Sequence, residues 1–111
     1  MVDDDELVGE MLLGVLHKLG YSADWHSNPK KALAAVNKSG QGLVITDLNM
    51  PQMGGDQLAK EIHEINPNLP IIIYSGQAAN IRPDPIYSAI LKKPINPEKL
   101  DKVIKNLLPG A

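Results

Sequence analysis

The stretch "LVITDLNMPQMGG", Leu43 to Gly55, decides the fold. Leu43, Val44, Ile45 and Thr46 form a short run rich in β-branched and apolar residues, as expected of a buried parallel strand. A single carboxylate, Asp47, closes the run. Behind it, Pro51, Gly54 and Gly55 exclude a continuous regular strand or helix. An acid therefore sits where a buried strand opens into an irregular loop.

Outward from this point the chain alternates strand and helix. "DELVGEMLLGVLHKLG" places Val8, Met11, Leu12, Val15, Leu16 and Leu19 at helical spacing, with Gly20 as a stop. "YSADWHS" alternates Tyr21, Ala23 and Trp25 against Ser22, Asp24 and His26, the pattern of a half-buried strand. Asn28–Pro29 opens a second helix expected to end near Gly40. "GGDQLAKEIHEINP" sets Leu58, Ile62 and Ile65 on one face and stops before Pro67. "LPIIIYSG" and "SAILKKP" read as two further strands. Asn96–Pro97 starts a last helix with Leu100, Val103, Ile104, Leu107 and Leu108 in register. Such alternation implies right-handed crossovers and a parallel sheet covered on both faces. The expected fold is α/β, a flavodoxin-like doubly wound five-stranded parallel sheet in the order 2-1-3-4-5. Ligands of such folds bind beyond the carboxyl ends of the strands.

With 111 residues the chain is expected to form a single domain, 1–111. A formal net charge of -2 argues against nucleic acid or an anionic membrane as the main partner. The absence of cysteine excludes disulfides and thiolate metal sites and fits a reducing compartment, so a cytoplasmic location is expected. No apolar run reaches the ~18 residues of a membrane span, and the acidic start "MVDDDE" is unlike a signal peptide.

The polar residues at the strand ends form one set: Asp3, Asp4 and Asp5 before the first helix, Asp47, Ser75 and Lys93. Neighbouring strands lie ~4.8 Å apart, so carboxylates ending the first and third strands are forced together. Like charges that close raise each other's pKa or recruit a cation. Oxygen donors without His or Cys suit a hard ion such as Mg²⁺, and a lysine ammonium suits a phosphoryl oxygen. The site reads as built for a phosphoryl group, with Asp47 as acceptor. Asp5 is assigned to the helix N-terminus. Gly54 and Gly55 are read as providing backbone freedom, and Trp25 as packing.

Together "VDDDE", "VITDLNMPQMGG", "IIIYSG" and "LKKP" resemble the four signature segments of the receiver domain of two-component response regulators, over essentially the whole chain. The resemblance implies Asp47 as phosphoacceptor and Asp3 and Asp4 as the acidic pair for Mg²⁺, the metal being ligated by Asp4, Asp47 and the main-chain carbonyl of Asn49. It implies Ser75 and Lys93 as phosphoryl-binding switch residues, a cis Lys93–Pro94 peptide, and a histidine kinase or phosphotransfer protein as donor. It names no output partner or linked domain.

Three features depart from the pattern. Only Met1 and Val2 precede Asp3, so the first strand is truncated, as expected either of numbering that begins inside a longer chain or of a loss of upstream residues. "GQAANIRPDPI" contains Pro83 and Pro85, so a short or missing fourth helix is expected. Ile90 stands where an aromatic is frequent, leaving Tyr87 as a candidate substitute. Two competing readings are a receiver-like interaction module independent of phosphate and an Asp-nucleophile Mg²⁺-dependent phosphohydrolase. Against the second, Asn49 stands where such enzymes often carry a second Asp.

Overall fold

The computed structural model describes residues 1–36, 42–51, 53–76 and 83–108. Helix α1 spans Glu6–Lys18; the Asp5 carboxylate caps it, accepting from Leu7 N–H at 3.0 Å and Val8 N–H at 3.2 Å. Helix α2 spans Pro29–Ala35 behind Asn28, whose side chain accepts from Lys30 N–H at 2.8 Å. It ends short of the expected Gly40, because Val36 is already extended; residues 37–41 lie outside the described residues. Strand β1 is Val44–Asp47, helix α3 Gly55–Ile65, strand β2 Ile71–Ser75, strand β3 Ala89–Lys92 and helix α4 Pro97–Leu107.

The three strands form a parallel sheet in the order β1-β2-β3, with Thr46 opposite Ile73 and Ile73 opposite Ile90. Beyond β1, Val2 bridges in parallel to Thr46 on one side and His26 on the other. The spatial order is therefore the expected 2-1-3-4-5, with its first two members reduced to single bridges. Val2 N–H donates to Ile45 C=O at 2.7 Å and Val2 C=O accepts from Asp47 N–H at 2.9 Å. On the other side His26 N–H donates to Met1 C=O at 3.0 Å. The strand read in "YSADWHS" is corrected to a single bridge at His26, with burial alternating along the stretch. The partners of the stretch are Met1 and Asp3, whose N–H groups donate to the Asp24 and His26 carbonyls at 2.7 and 3.2 Å.

Burial along β2 explains its unbroken apolar run. Ile71 and Ile73 face a layer with Val2, Ala32, Leu58 and Ile62, packed under α2 and α3. Ile72 and Tyr74 face the opposite layer with Leu12, Leu16, Leu100 and Ile104, packed under α1 and α4. All five β2 residues are buried, as in a sheet covered on both faces. A cavity of about 350 Å³, half open to solvent, is lined by Met1, Val2, Leu16, Tyr21, Ala32 and Val44 among others.

Most of the segment expected to hold a short or missing fourth helix, residues 77–82, lies outside the described residues. On its C-terminal side Asp84 holds a turn, its carboxylate accepting from Ile86 N–H at 3.0 Å and its carbonyl from Tyr87 N–H at 2.9 Å. No helix among the described residues is long and apolar enough to cross a membrane.

Candidate functional site

Parallel pairing delivers the ends of the strands to one edge. Asp47 ends β1 and Ser75 ends β2, each of them buried, and Lys93 comes directly after β3. Lys93 N–H donates to Ser75 C=O at 2.9 Å, which extends the β2–β3 ladder to the site, and the Lys93–Pro94 peptide is cis. Asp3 enters from the Val2 bridge and is fully buried, whereas its neighbour Asp4 is exposed. One carboxylate oxygen from each of Asp3, Asp4 and Asp47 lies within 4.8 Å of the others.

The Lys93 ammonium sits between two of these acids, 3.3 Å from Asp47 Oδ1 and 3.4 Å from Asp3 Oδ2. It also lies over the Tyr74 ring, 4.6 Å from the centroid. Burial pushes the Asp47 carboxyl above the usual carboxylate range. The neighbouring Asp3 charge pushes the same way, while Lys93 and the Asn49 backbone N–H pull against it. Asp47 is thus an acid whose negative charge lacks full compensation. An all-oxygen set of three carboxylates suits a hard divalent cation.

The loop behind Asp47 is closed by Gly55. Its N–H donates to Leu48 C=O at 2.7 Å, and a Cβ there would run into the Asp47 carbonyl oxygen. Gly55 does not have positive φ, so close approach, rather than the backbone freedom expected of it, is its reason. Asn49 is exposed beside Asp47. Tyr87 packs half-buried against the α2–α3 layer, and Ile90 lies half-buried on β3.

Two side chains at the site were not placed there by the sequence: Tyr74 was not singled out, and Trp25 was read as packing. The Tyr74 hydroxyl donates to Asp3 Oδ2, and the Trp25 indole N–H donates to the Asp3 carbonyl at 2.9 Å. The signal for Tyr74 was a phenol closing the run "IIIY", since a buried hydroxyl needs a partner. For Trp25 it was Gly9, against which the indole ring lies so close that any Cβ would clash.

A doubly wound parallel sheet with acids and a lysine gathered at the carboxyl edge defines the class. The family model of the response regulator receiver domain matches residues 1–105, and the chain belongs to that family, the receiver module of two-component signalling. CpdR, a response regulator receiver protein of Brucella abortus, is 31% identical over 115 aligned residues, covering 100% of this chain and 96% of that protein. TodT, a response regulator of Pseudomonas putida, is 34% identical over 76 residues, 68% of this chain but only 34% of TodT. Among solved structures, the response regulator TrrA of Thermotoga maritima in complex with Mg²⁺-BeF superposes with a TM-score of 0.86 at 29% identity, covering 96% of this chain and 95% of that one.

Proposed function

We propose that Asp47 accepts a phosphoryl group from a histidine kinase or phosphotransfer protein, and that the domain acts as the resulting conformational switch. The observation that carries this reading is the Asp47 carboxylate itself: buried at a strand end, 3.3 Å from the Lys93 ammonium, and within 4.8 Å of two further acids. The likeness to TrrA, solved with Mg²⁺-BeF, supports it.

An Asp47 carboxylate oxygen attacks phosphorus in line as the bond from phosphorus to the donor imidazole nitrogen breaks. The donor leaves as neutral histidine after taking a proton from solvent. Lys93, already held at the edge, pairs with an equatorial phosphoryl oxygen, and the Ser75 hydroxyl donates to another. Asp3, Asp4, Asp47 and the Asn49 carbonyl would hold Mg²⁺, which supplies charge neutralisation at the phosphoryl oxygens. Tyr87 and Ile90 are assigned as neighbours of the switch. Residues 1–111 act as one receiver domain in this reading, in the cytoplasm, without contacting nucleic acid or membrane.

The test is direct. Incubation with Mg²⁺ and acetyl phosphate should add the mass of one phosphoryl group, and Asp47→Asn should abolish the addition. An unmodified wild-type chain, or an adduct that persists in Asp47→Asn, would refute the assignment. Continuous turnover of a phosphomonoester would point instead to a hydrolase.

A further inference from the structure

We infer that Tyr74 is a positioning residue, whose hydroxyl fixes the Asp3 carboxylate so that the acidic cluster can take a divalent cation. The inference rests on the proposed role of that cluster in holding Mg²⁺. Tyr74 and Ser75 are consecutive on β2, so their side chains leave opposite faces of the sheet. Ser75 stands at the end of the strand, while the Tyr74 ring enters the layer under α1 and α4 and is fully buried. From there its hydroxyl reaches across to Asp3 Oδ2. The other oxygen, Asp3 Oδ1, accepts from Asp5 N–H at 2.8 Å. The carboxylate is therefore gripped at both oxygens, and its plane cannot turn without breaking one bond. Asp4 is exposed and has no comparable hold on its carboxylate among the hydrogen bonds of the described residues.

Tyr74 also fixes the competing charge. Its ring lies under the Lys93 ammonium, which pairs with the same Asp3 oxygen at 3.4 Å. One side chain thus holds both the acid and the cation that neutralises it in the metal-free protein. With a divalent ion held by the cluster, the Tyr74 hydroxyl would keep Asp3 oriented toward it. If Tyr74 served packing alone, Phe would serve as well. A phenol hydroxyl in an apolar layer is retained at a cost unless it is bonded, and here its partner is the acid cluster.

The test compares wild type with Tyr74→Phe, using Mn²⁺ as the probe and the electron paramagnetic resonance signal of free Mn²⁺ as the readout. Removing a group that orients a metal ligand typically costs about 10- to 100-fold in affinity; a loss of about tenfold or more is expected here, with circular dichroism showing a retained fold. An unchanged Kd in a folded Tyr74→Phe protein would overturn the inference and leave the metal reading intact. Absence of Mn²⁺ binding by wild type would overturn both. Should Tyr74→Phe fail to fold, a second measurement decides. The chain has three tyrosines, and labelling all of them with 3-fluorotyrosine gives resonances assignable through Tyr21→Phe and Tyr87→Phe. The Tyr74 fluorine signal should move on addition of Mg²⁺ with the same midpoint as binding. A stationary signal at saturating Mg²⁺ would overturn the inference.

Discussion

Asp47 carries an uncomfortable charge. Because burial raises its pKa in the folded state, folding takes up a proton between the unfolded and folded values, and stability falls as pH rises through that window. Asp47→Asn, which removes the charge and keeps the shape, should therefore raise the melting temperature of the metal-free chain at pH 7. The gain should shrink as pH falls below about 4, where the wild-type carboxyl is protonated in both states. Thermal melts of both proteins at about pH 7 and about pH 3.5 check this; an equal difference at the two values would contradict it. At Gly55 the argument is steric. Gly55→Ala pushes a methyl into the Asp47 carbonyl and the Leu48 backbone, and should cost about 1–3 kcal/mol in urea titration. Asp47, Asp3 and Lys93 were legible because each stands at the end of a strand, where sequence position nearly fixes place. Tyr74 was not, because its hydroxyl acts at the end of a long ring across a layer boundary. Its partner, 71 positions away, is found only once the sheet is assembled.

The helices announce their starts. The Asn-Pro pair recurs at Asn28–Pro29 and Asn96–Pro97, and in both the asparagine caps while proline fills the first turn, where its missing N–H costs nothing. In α4 the Asn96 side chain accepts from Glu98 N–H at 2.9 Å and Lys99 N–H at 3.2 Å. Asn96→Ala should cost about 1 kcal/mol, read as a lower denaturant midpoint with unchanged slope. α4 is also tied from outside, where Asp101 accepts from the Tyr21 hydroxyl at 2.5 Å, and within itself, where Asp101 pairs with Lys105 at 3.0 Å. The basic stripe of Lys99, Lys102 and Lys105 is exposed, and Lys105 has this local pairing. The buried strands were legible from their β-branched runs. The stretch from Tyr21 to His26 was less so, since its alternation is real while its ladder depends on how far the neighbouring strand extends. Periodicity records which face is buried; it does not record whether an edge finds a partner.

At the scale of the whole molecule, two apolar layers on a parallel sheet were expected from the alternation of strands and helices, and the order 2-1-3-4-5 is completed by the Val2 bridges. The cavity was not foreseen, because it is a property of what lies between elements. It sets how the protein answers to compression. Unfolding volumes of proteins fall between roughly -20 and -100 mL/mol and scale with the internal void that unfolding removes. Only the part of this half-open cavity that is closed off from solvent adds to that volume, making the change more negative than in a filled core. Pressure unfolding tracked by the fluorescence of its one tryptophan, Trp25, should show this. Ala32→Ile, which grows a side chain into the cavity, should make the volume change less negative. A gap between elements thus becomes a sensitivity to depth: the same fold, at the same temperature and pH, should give way under hydrostatic load sooner than its Ala32→Ile variant.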